Sequence, residues 1–262
     1  MSEAAALVER HGHTLVVTIN RPDARNAVNS AVSTAVGDAL QRAQQDPSVW
    51  AVVLTGAGDK SFCAGADLKA IGRGENLYHP EHPEWGFAGY ARHFIDKPTI
   101  AAVNGTALGG GTELVLASDL AVADRGATFG LPEVKRGLLA AAGGVFRILG
   151  QMPRKRALEL IFTGEPISAD DAATAGLINY AVADGSALQA ALELAERITV
   201  NAPLSVQASK RVALGATDGV IEAEDAGWAR TSHEYALLKQ SSDAKEGPAA
   251  FAAKREPVWT AS

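Results

Sequence analysis

Short apolar runs rich in β-branched residues recur through the first half of the chain, and their spacing constrains the fold more than any other feature. "TLVVTIN" (Thr14 to Asn20), "VWAVVLTG" (Val49 to Gly56), "TIAAVNG" (Thr99 to Gly105) and "DLAVAD" (Asp119 to Asp124) each end at a turn residue and predict strands. Between the first two lies "NSAVSTAVGDALQRAQQD", with Val32, Val36, Leu40 and Ala43 at helical spacing behind an Asn/Ser cap. Strand, helix, strand in repetition implies an α/β domain with largely buried strands, because the crossover helices must cover the sheet faces.

After Gly143 the pattern turns helical. Helices are predicted for "MPRKRALELIFTG", for a segment opening at Ser168 with Asp171 three residues on, and for 185–199, 203–215, 220–240 and 243–254. Only "LINYAV" (Leu177 to Val182) interrupts them as a strand. A helical tail on an α/β core packs on that core or on another subunit, and its apolar faces, with Trp228 and Phe251, favour an oligomer. The stretch 72–90, rich in Gly, Pro and His, predicts a long loop of a length that often carries function.

Charge is spread along the 262 residues with a net of −6, so no basic face announces nucleic acid or an anionic membrane. No apolar run reaches the roughly 18 residues of a membrane span. A single cysteine, Cys63, excludes an internal disulfide, and "MSEAAALVER" lacks the pattern of a secretory signal, so the expected compartment is the cytoplasm.

The chemistry concentrates in "VNGTALGGGTELVLASD". Gly109, Gly110 and Gly111 precede an apolar helix without G-x-G-x-x-G or a following Lys-Ser/Thr, which disfavours dinucleotide and triphosphate cradles. Tight packing explains such glycines ordinarily; the alternative is a helix N-terminus whose bare N–H groups stabilise an oxyanion. A second small-residue loop, Cys63-Ala64-Gly65-Ala66, follows a strand in the same way, and two such loops could each supply one N–H to a single oxygen. Glu113 and Glu133 stand apart from the other acids in their apolar surroundings. Alone, each is a capping or solvated carboxylate; as a pair near one cavity, their pKa values would be driven apart into an acid and a base. His79, Glu81, His82, Glu84 and His93 match no standard metal-ligand spacing and predict a solvated loop. Cys63 has no adjacent histidine and is expected to be a packing residue.

"NRPDARNAV", "SFCAGADLKA", "KPTIAAVNGTALGGGTELVLASD", "FGLPEVKRGL" and "DAKEGPAAFAAKREPVW" together resemble, in order and spacing, the enoyl-CoA hydratase/isomerase (crotonase) family over essentially the whole chain. The resemblance implies a crotonase-like spiral of β-β-α repeats over 1–200 and a C-terminal helical trimerisation region over 201–262, often assembled as a dimer of trimers. It implies a thioester oxyanion hole at the N–H groups of Ala66 and Gly110. Of the two glutamates, Glu113 would activate the water that attacks Cβ, and Glu133 would exchange the proton at Cα. Coenzyme A enters as part of the substrate, with no permanently bound cofactor and no metal. Its adenine would lie against the backbone of Ala64, Gly65, Ala66, Asp67 and Leu68, and its phosphates near Lys60, Lys69 and Lys254. Asp23 stands where hydratases of the family often have lysine, which gives that phosphate contact to Arg25. "GLLAAAGGV" departs from the family's usual Pro-Gly-Ala-Gly-Gly beside the acyl pocket.

Keeping both glutamates favours an enoyl-CoA hydratase over an isomerase or a specialised acyl-CoA dehydratase of the same family. A non-catalytic RNA-binding or structural oligomer is the distant alternative. Tyr78, Trp85, Phe87, Tyr90 and Phe94 in and after the long loop suggest either a bulky or long acyl group or a cluster that anchors the loop.

Overall fold

A computed structural model describes residues 4–262. β1 (Ala6–His11) and β2 (Thr14–Ile19) form an antiparallel hairpin, and α1 (Ser30–Gln45) follows. The predicted cap is present: Asn29 accepts the N–H of Val32, and Val32, Val36, Leu40 and Ala43 are buried. Then a unit repeats. β3 (Ala51–Gly56), β4 (Ser61–Cys63) and α2 (Leu68–Gly72) form the first copy; β5 (Thr99–Val103), β6 (Thr106–Leu108) and α3 (Gly110–Ala117) form the second. β7 (Leu120–Asp124) and β8 (Thr128–Gly130) begin a third, which ends in a 3₁₀ turn, Pro132–Arg136.

The first strand of each unit joins one sheet and the second strand joins another. With α4 (Gly144–Gln151), α5 (Arg154–Thr163), β9 (Ile167–Ser168), α6 (Ala169–Thr174) and β10 (Tyr180–Val182) in place, the large sheet runs β1-β2-β3-β5-β7-β10 and the small one β4-β6-β8-β9. Pairing from β2 through β10 in the large sheet is parallel. The chain is thus a spiral of β-β-α turns.

The β-branched strands are buried on both faces, as their composition requires. Val17, Ile19, Val52, Leu54, Ala101 and Val103 face a main core shared with α1 and α3. The alternate residues Val16, Ala51, Val53, Ile100 and Ala102 face Ala191 and Ala195 of α7 (Ala187–Thr199). α8 (Pro203–Leu214) contributes no buried residue.

The helix expected over 220–240 starts later. β11 (Ala216–Thr217) and β12 (Val220–Ile221) form a hairpin through Asp218 and Gly219, with φ of 50° and 79°, before α9 (Asp225–Leu238) and α10 (Ser242–Ala252). Positive φ at both turn residues is what Asp-Gly accommodates, so the dipeptide closes a hairpin where helical spacing alone suggested continuity. The long loop carries two 3₁₀ turns, Pro83–Trp85 and Phe87–Gly89. Its histidines are not all solvated: His79 is buried against Asp38, and the Trp85 indole stacks at 4.0 Å on His82, which stays half exposed, and at 4.0 Å on half-buried His93 just after the loop. Stacking covers one face of these rings, a contribution that residue spacing does not show. Among the described residues no helix is long and apolar enough to cross a membrane.

Candidate active site

The three glycines ahead of Glu113 are there because three different things crowd them. Gly109 has φ of 55°, the turn from β6 into α3. A Cβ on Gly110 would stand 2.5 Å from the Phe87 ring, and one on Gly111 would stand 1.9 Å from the Cys63 carbonyl oxygen. The start of α3 is therefore pressed onto the end of β4. Across that contact lies the second loop, where the Cβ position of Gly65 is 3.1 Å from the Gly110 nitrogen. The two loops expected to act together do meet.

Their N–H groups are oriented by their neighbours. Val28 N–H donates to the Gly65 carbonyl at 2.8 Å, and Asp67 N–H donates to the Val28 carbonyl at 2.9 Å. This parallel bridge turns the Ala66 N–H away from Val28. Gly110 is the first residue of α3, so its N–H has no acceptor within the helix.

Both glutamates flank this turn. Glu113, in the first turn of α3, is buried, and its Oε1 accepts the N–H groups of Ala142 at 2.7 Å and Gly144 at 2.8 Å. Gly144 opens α4, so the carboxylate oxygen lies at a helix N-terminus, where negative charge is favoured. Glu133 comes from the 3₁₀ turn after β8, and its Oε1 is 2.7 Å from the Cβ position of Gly109. Burial pushes the Glu113 carboxyl above the ordinary carboxylate range, and the Glu133 charge adds to it; the two N–H bonds and, more weakly, the Arg147 guanidinium oppose. Burial raises Glu133 as well. Among the described residues two buried side-chain polar atoms lack a hydrogen-bond partner, Glu133 Oε2 and Arg147 Nη1. Such atoms are uncommon in folded chains, and both lie at this end of the molecule.

The remaining predicted residues are more dispersed. Ala64, Gly65 and Ala66 form the loop itself, and the Ala64 N–H donates to the carbonyl of exposed Arg25 at 3.1 Å. The Asp67 side chain is engaged by the fold: it caps α2 by accepting Lys69 N–H and Ala70 N–H and pairs with Arg21 at 2.9 Å. Leu68 and Lys69 are exposed on α2. Lys60 lies in the β3–β4 turn, lining a cleft with Asn104, Asp124 and Asp184. Lys254 is exposed just beyond α10, with φ of 53°. In this chain neither of these two lysines touches the glutamates.

Of the five aromatics around the long loop, Phe87 packs on the Gly110 turn. Tyr90 is buried with its hydroxyl on Ser118, Trp85 belongs to the histidine stack, and Phe94 lies beneath Lys210. Tyr78 is close enough for the Glu113 charge to help raise its phenol, behind burial and Tyr235. The sequence reading missed Ala142 and Gly144. Their signal was "AAAGGV", a small-residue helix start like the one at Gly109.

The β-β-α spiral thus brings two small-residue loops into contact beside buried Glu113 and half-buried Glu133. The chain belongs to the enoyl-CoA hydratase/isomerase family, whose model matches residues 9–262. It is 40% identical over 262 residues to a carnitinyl-CoA dehydratase of Salmonella typhimurium, covering 99% of both chains. Among solved structures it is similar to a carnitinyl-CoA hydratase from Mycobacterium avium, with 72% identity, full coverage of both chains and a TM-score of 0.98. An enoyl-CoA hydratase from Mycobacterium tuberculosis is 44% identical over 99% of this chain and 100% of its own, with a TM-score of 0.77.

Proposed function

We propose that the protein is a hydro-lyase that interconverts a trans-2-enoyl-CoA and a 3-hydroxyacyl-CoA. The observation that carries this is the pair of glutamates, buried Glu113 and half-buried Glu133, on either side of the Gly109–Gly110 turn. In the hydration direction the thioester oxygen accepts from the N–H groups of Ala66 and Gly110. Water attacks Cβ and passes a proton to Glu113, while the π electrons move onto the thioester oxygen as an enolate. Glu133 then delivers a proton to Cα as the carbonyl re-forms. The sum is one water added and no change in oxidation state. Preorganised donors are worth about 3–4 kcal/mol each to such an oxyanion, and positioned acid–base groups about 10²–10⁴-fold each in rate.

A carnitinyl thioester is itself a 3-hydroxyacyl-CoA, so the relatives' names describe an instance of this reaction, and carnitinyl-CoA leads the substrate candidates. The dispersal of Trp85, Tyr90 and Phe94 away from the Gly110 turn leaves Phe87 and Tyr78 as the aromatic walls nearest the acyl group and weakens the reading of a long-chain pocket. Arg25 and Lys69, exposed beside the Ala64–Ala66 loop, are the coenzyme A contacts this chain itself supports best. Lys60 and Lys254 serve that role only through another part of the coenzyme or another subunit. Homotrimeric assembly accounts for the apolar residues α8 leaves in water, including Leu204 and Val212.

A panel of 2-enoyl-, 3-enoyl- and carnitinyl-CoA esters with product identification tests the reading. Interconversion of 2-enoyl and 3-hydroxyacyl esters supports it. Turnover of the 3-enoyl ester alone would make the protein an isomerase.

A further inference from the structure

The Glu113 carboxylate depends on a backbone turn supplied from thirty residues further on, and that turn is held from outside the spiral. Gly143 has φ of 101° and Gly144 opens α4, so the N–H that meets Glu113 is only as well placed as this left-handed turn. Two side chains close on Gly143: its Cβ position is 3.0 Å from Arg147 Nη1 and 3.1 Å from Trp228 Cη2.

Trp228 lies in the first turn of α9, and Arg147 is held by Glu224, the residue at the N-cap position of that helix. Arg147 donates from Nε at 2.7 Å and from Nη2 at 2.6 Å to the two carboxylate oxygens of Glu224, a bidentate pair that is largely buried. Trp228 Nε1 donates to the same Glu224 at 3.2 Å, and the Trp228 ring meets Phe146 edge-on at 5.0 Å. Phe146 in turn packs on Gly227. The Arg92 guanidinium also lies over the indole, 4.6 Å from the ring centroid. Gly227 is the only buried residue of α9, so a helix otherwise half in solvent is anchored at the one place that adjoins the glutamate's backbone cradle.

We propose that the Arg147–Glu224 pair, with Trp228 wedged on Gly143, is a brace that sets the position and charge state of the Glu113 carboxyl, which makes Arg147 and Glu224 positioning residues. The inference rests on Glu113 being the base of the proposed hydration. Its physical content is a pair of opposed charges. Arg147 keeps Nη1 buried and unpartnered against Gly143, and its guanidinium favours the ionised form of Glu113. Glu224 neutralises that guanidinium from the far side. The other groups facing Glu113 are Glu133, from the 3₁₀ turn, and Tyr78, from the long loop.

Removing one charge or the other therefore acts in opposite senses. Arg147→Met leaves Glu113 harder to ionise, and the acid limb of the kcat/KM profile moves to higher pH. Glu224→Gln leaves Arg147 uncompensated, and the limb moves to lower pH. Each shift is expected to be about half a pH unit or more. In both, kcat falls roughly 10- to 100-fold while KM for the CoA ester changes little, because the carboxylate is displaced and the coenzyme contacts are not. Trp228→Phe, which removes the indole N–H and part of the ring wedged on Gly143 while keeping an aromatic side chain, shows the same kcat loss in milder form and keeps the test available if either charge variant fails to fold. The titration of Glu113 itself, followed by carbon NMR of labelled glutamate and assigned by its disappearance in Glu113→Gln, reads the brace whether or not the wild-type protein hydrates enoyl-CoA. Opposite shifts in the two charge variants support the brace. No shift, or shifts in the same direction, overturn it.

Discussion

Gly111 shows how little room the site leaves at the level of single residues. A methyl group there would stand 1.9 Å from the Cys63 carbonyl oxygen, and that atom is backbone in a strand that cannot swing aside. Gly111→Ala is expected to lower stability by roughly 1–3 kcal/mol or more, read as a fall in Tm; an unchanged Tm would mean that α3 does not press on β4. The glutamates carry a pH signature. Burial raises the folded pKa of Glu133 above its ordinary 4.5, so between those values the folded chain holds a proton that the unfolded chain has released. Stability conferred by the protonated form is thus lost as pH rises through this window. Glu133→Gln, always neutral, escapes that loss, so its Tm relative to wild type should rise from pH 5 to pH 8; a constant difference would contradict the burial. Glu113 and Glu133 stand out in the sequence by residue type and apolar surroundings, whereas Ala66 and Gly110 were singled out through the family resemblance. Ala142 and Gly144 left only the small-residue run "AAAGGV" as a signal, because a backbone donor is announced by no side chain of its own.

At the level of elements, the long strands of the large sheet and the capped helix α1 followed from periodicity. The strands "SFC", "TAL" and "TFG" of the small sheet did not, because three residues are too few to show alternation. Those strands place both N–H groups, so the local pattern indicated the site's residues before it indicated what holds them together. The loop 72–90 was read correctly as irregular, but the histidines in and just after it were expected in water, whereas His79 is buried and His82 and His93 stack on Trp85. His93 shows the consequence: burial depresses its pKa from 6.5 to about 4. Between those values the unfolded chain takes up a proton that the folded one refuses, so stability is lost as pH falls from 6.5 towards 4, by up to roughly 3 kcal/mol. His93→Gln should flatten the acid side of the Tm profile, and an acid limb as steep as that of wild type would remove His93 as its cause.

For the whole molecule, the spiral accounts for the core but leaves the C-terminal helices poorly covered. Leu204 and Val212 on α8 are 77% and 83% exposed, although they are large aliphatic side chains on a well-formed helix. We expect sedimentation to give about three times the 27.1 kDa chain mass, and Val212→Asp to shift the population towards monomer. A monomeric wild-type protein would refute the assembly. The sequence implied this face through its resemblance to a family, and no pattern in a single chain shows which surface a second copy covers. The account as a whole turns on two carboxylates doing different work at one carbon–carbon bond. Its most direct measurement is the loss of conjugated thioester absorbance when a trans-2-enoyl-CoA is added to wild type, Glu113→Gln and Glu133→Gln, with ester binding measured alongside. Hydration by wild type that slows about 10²–10⁴-fold in each variant, at near-constant affinity, is the predicted result; a Glu133→Gln protein that hydrates at the wild-type rate would contradict it.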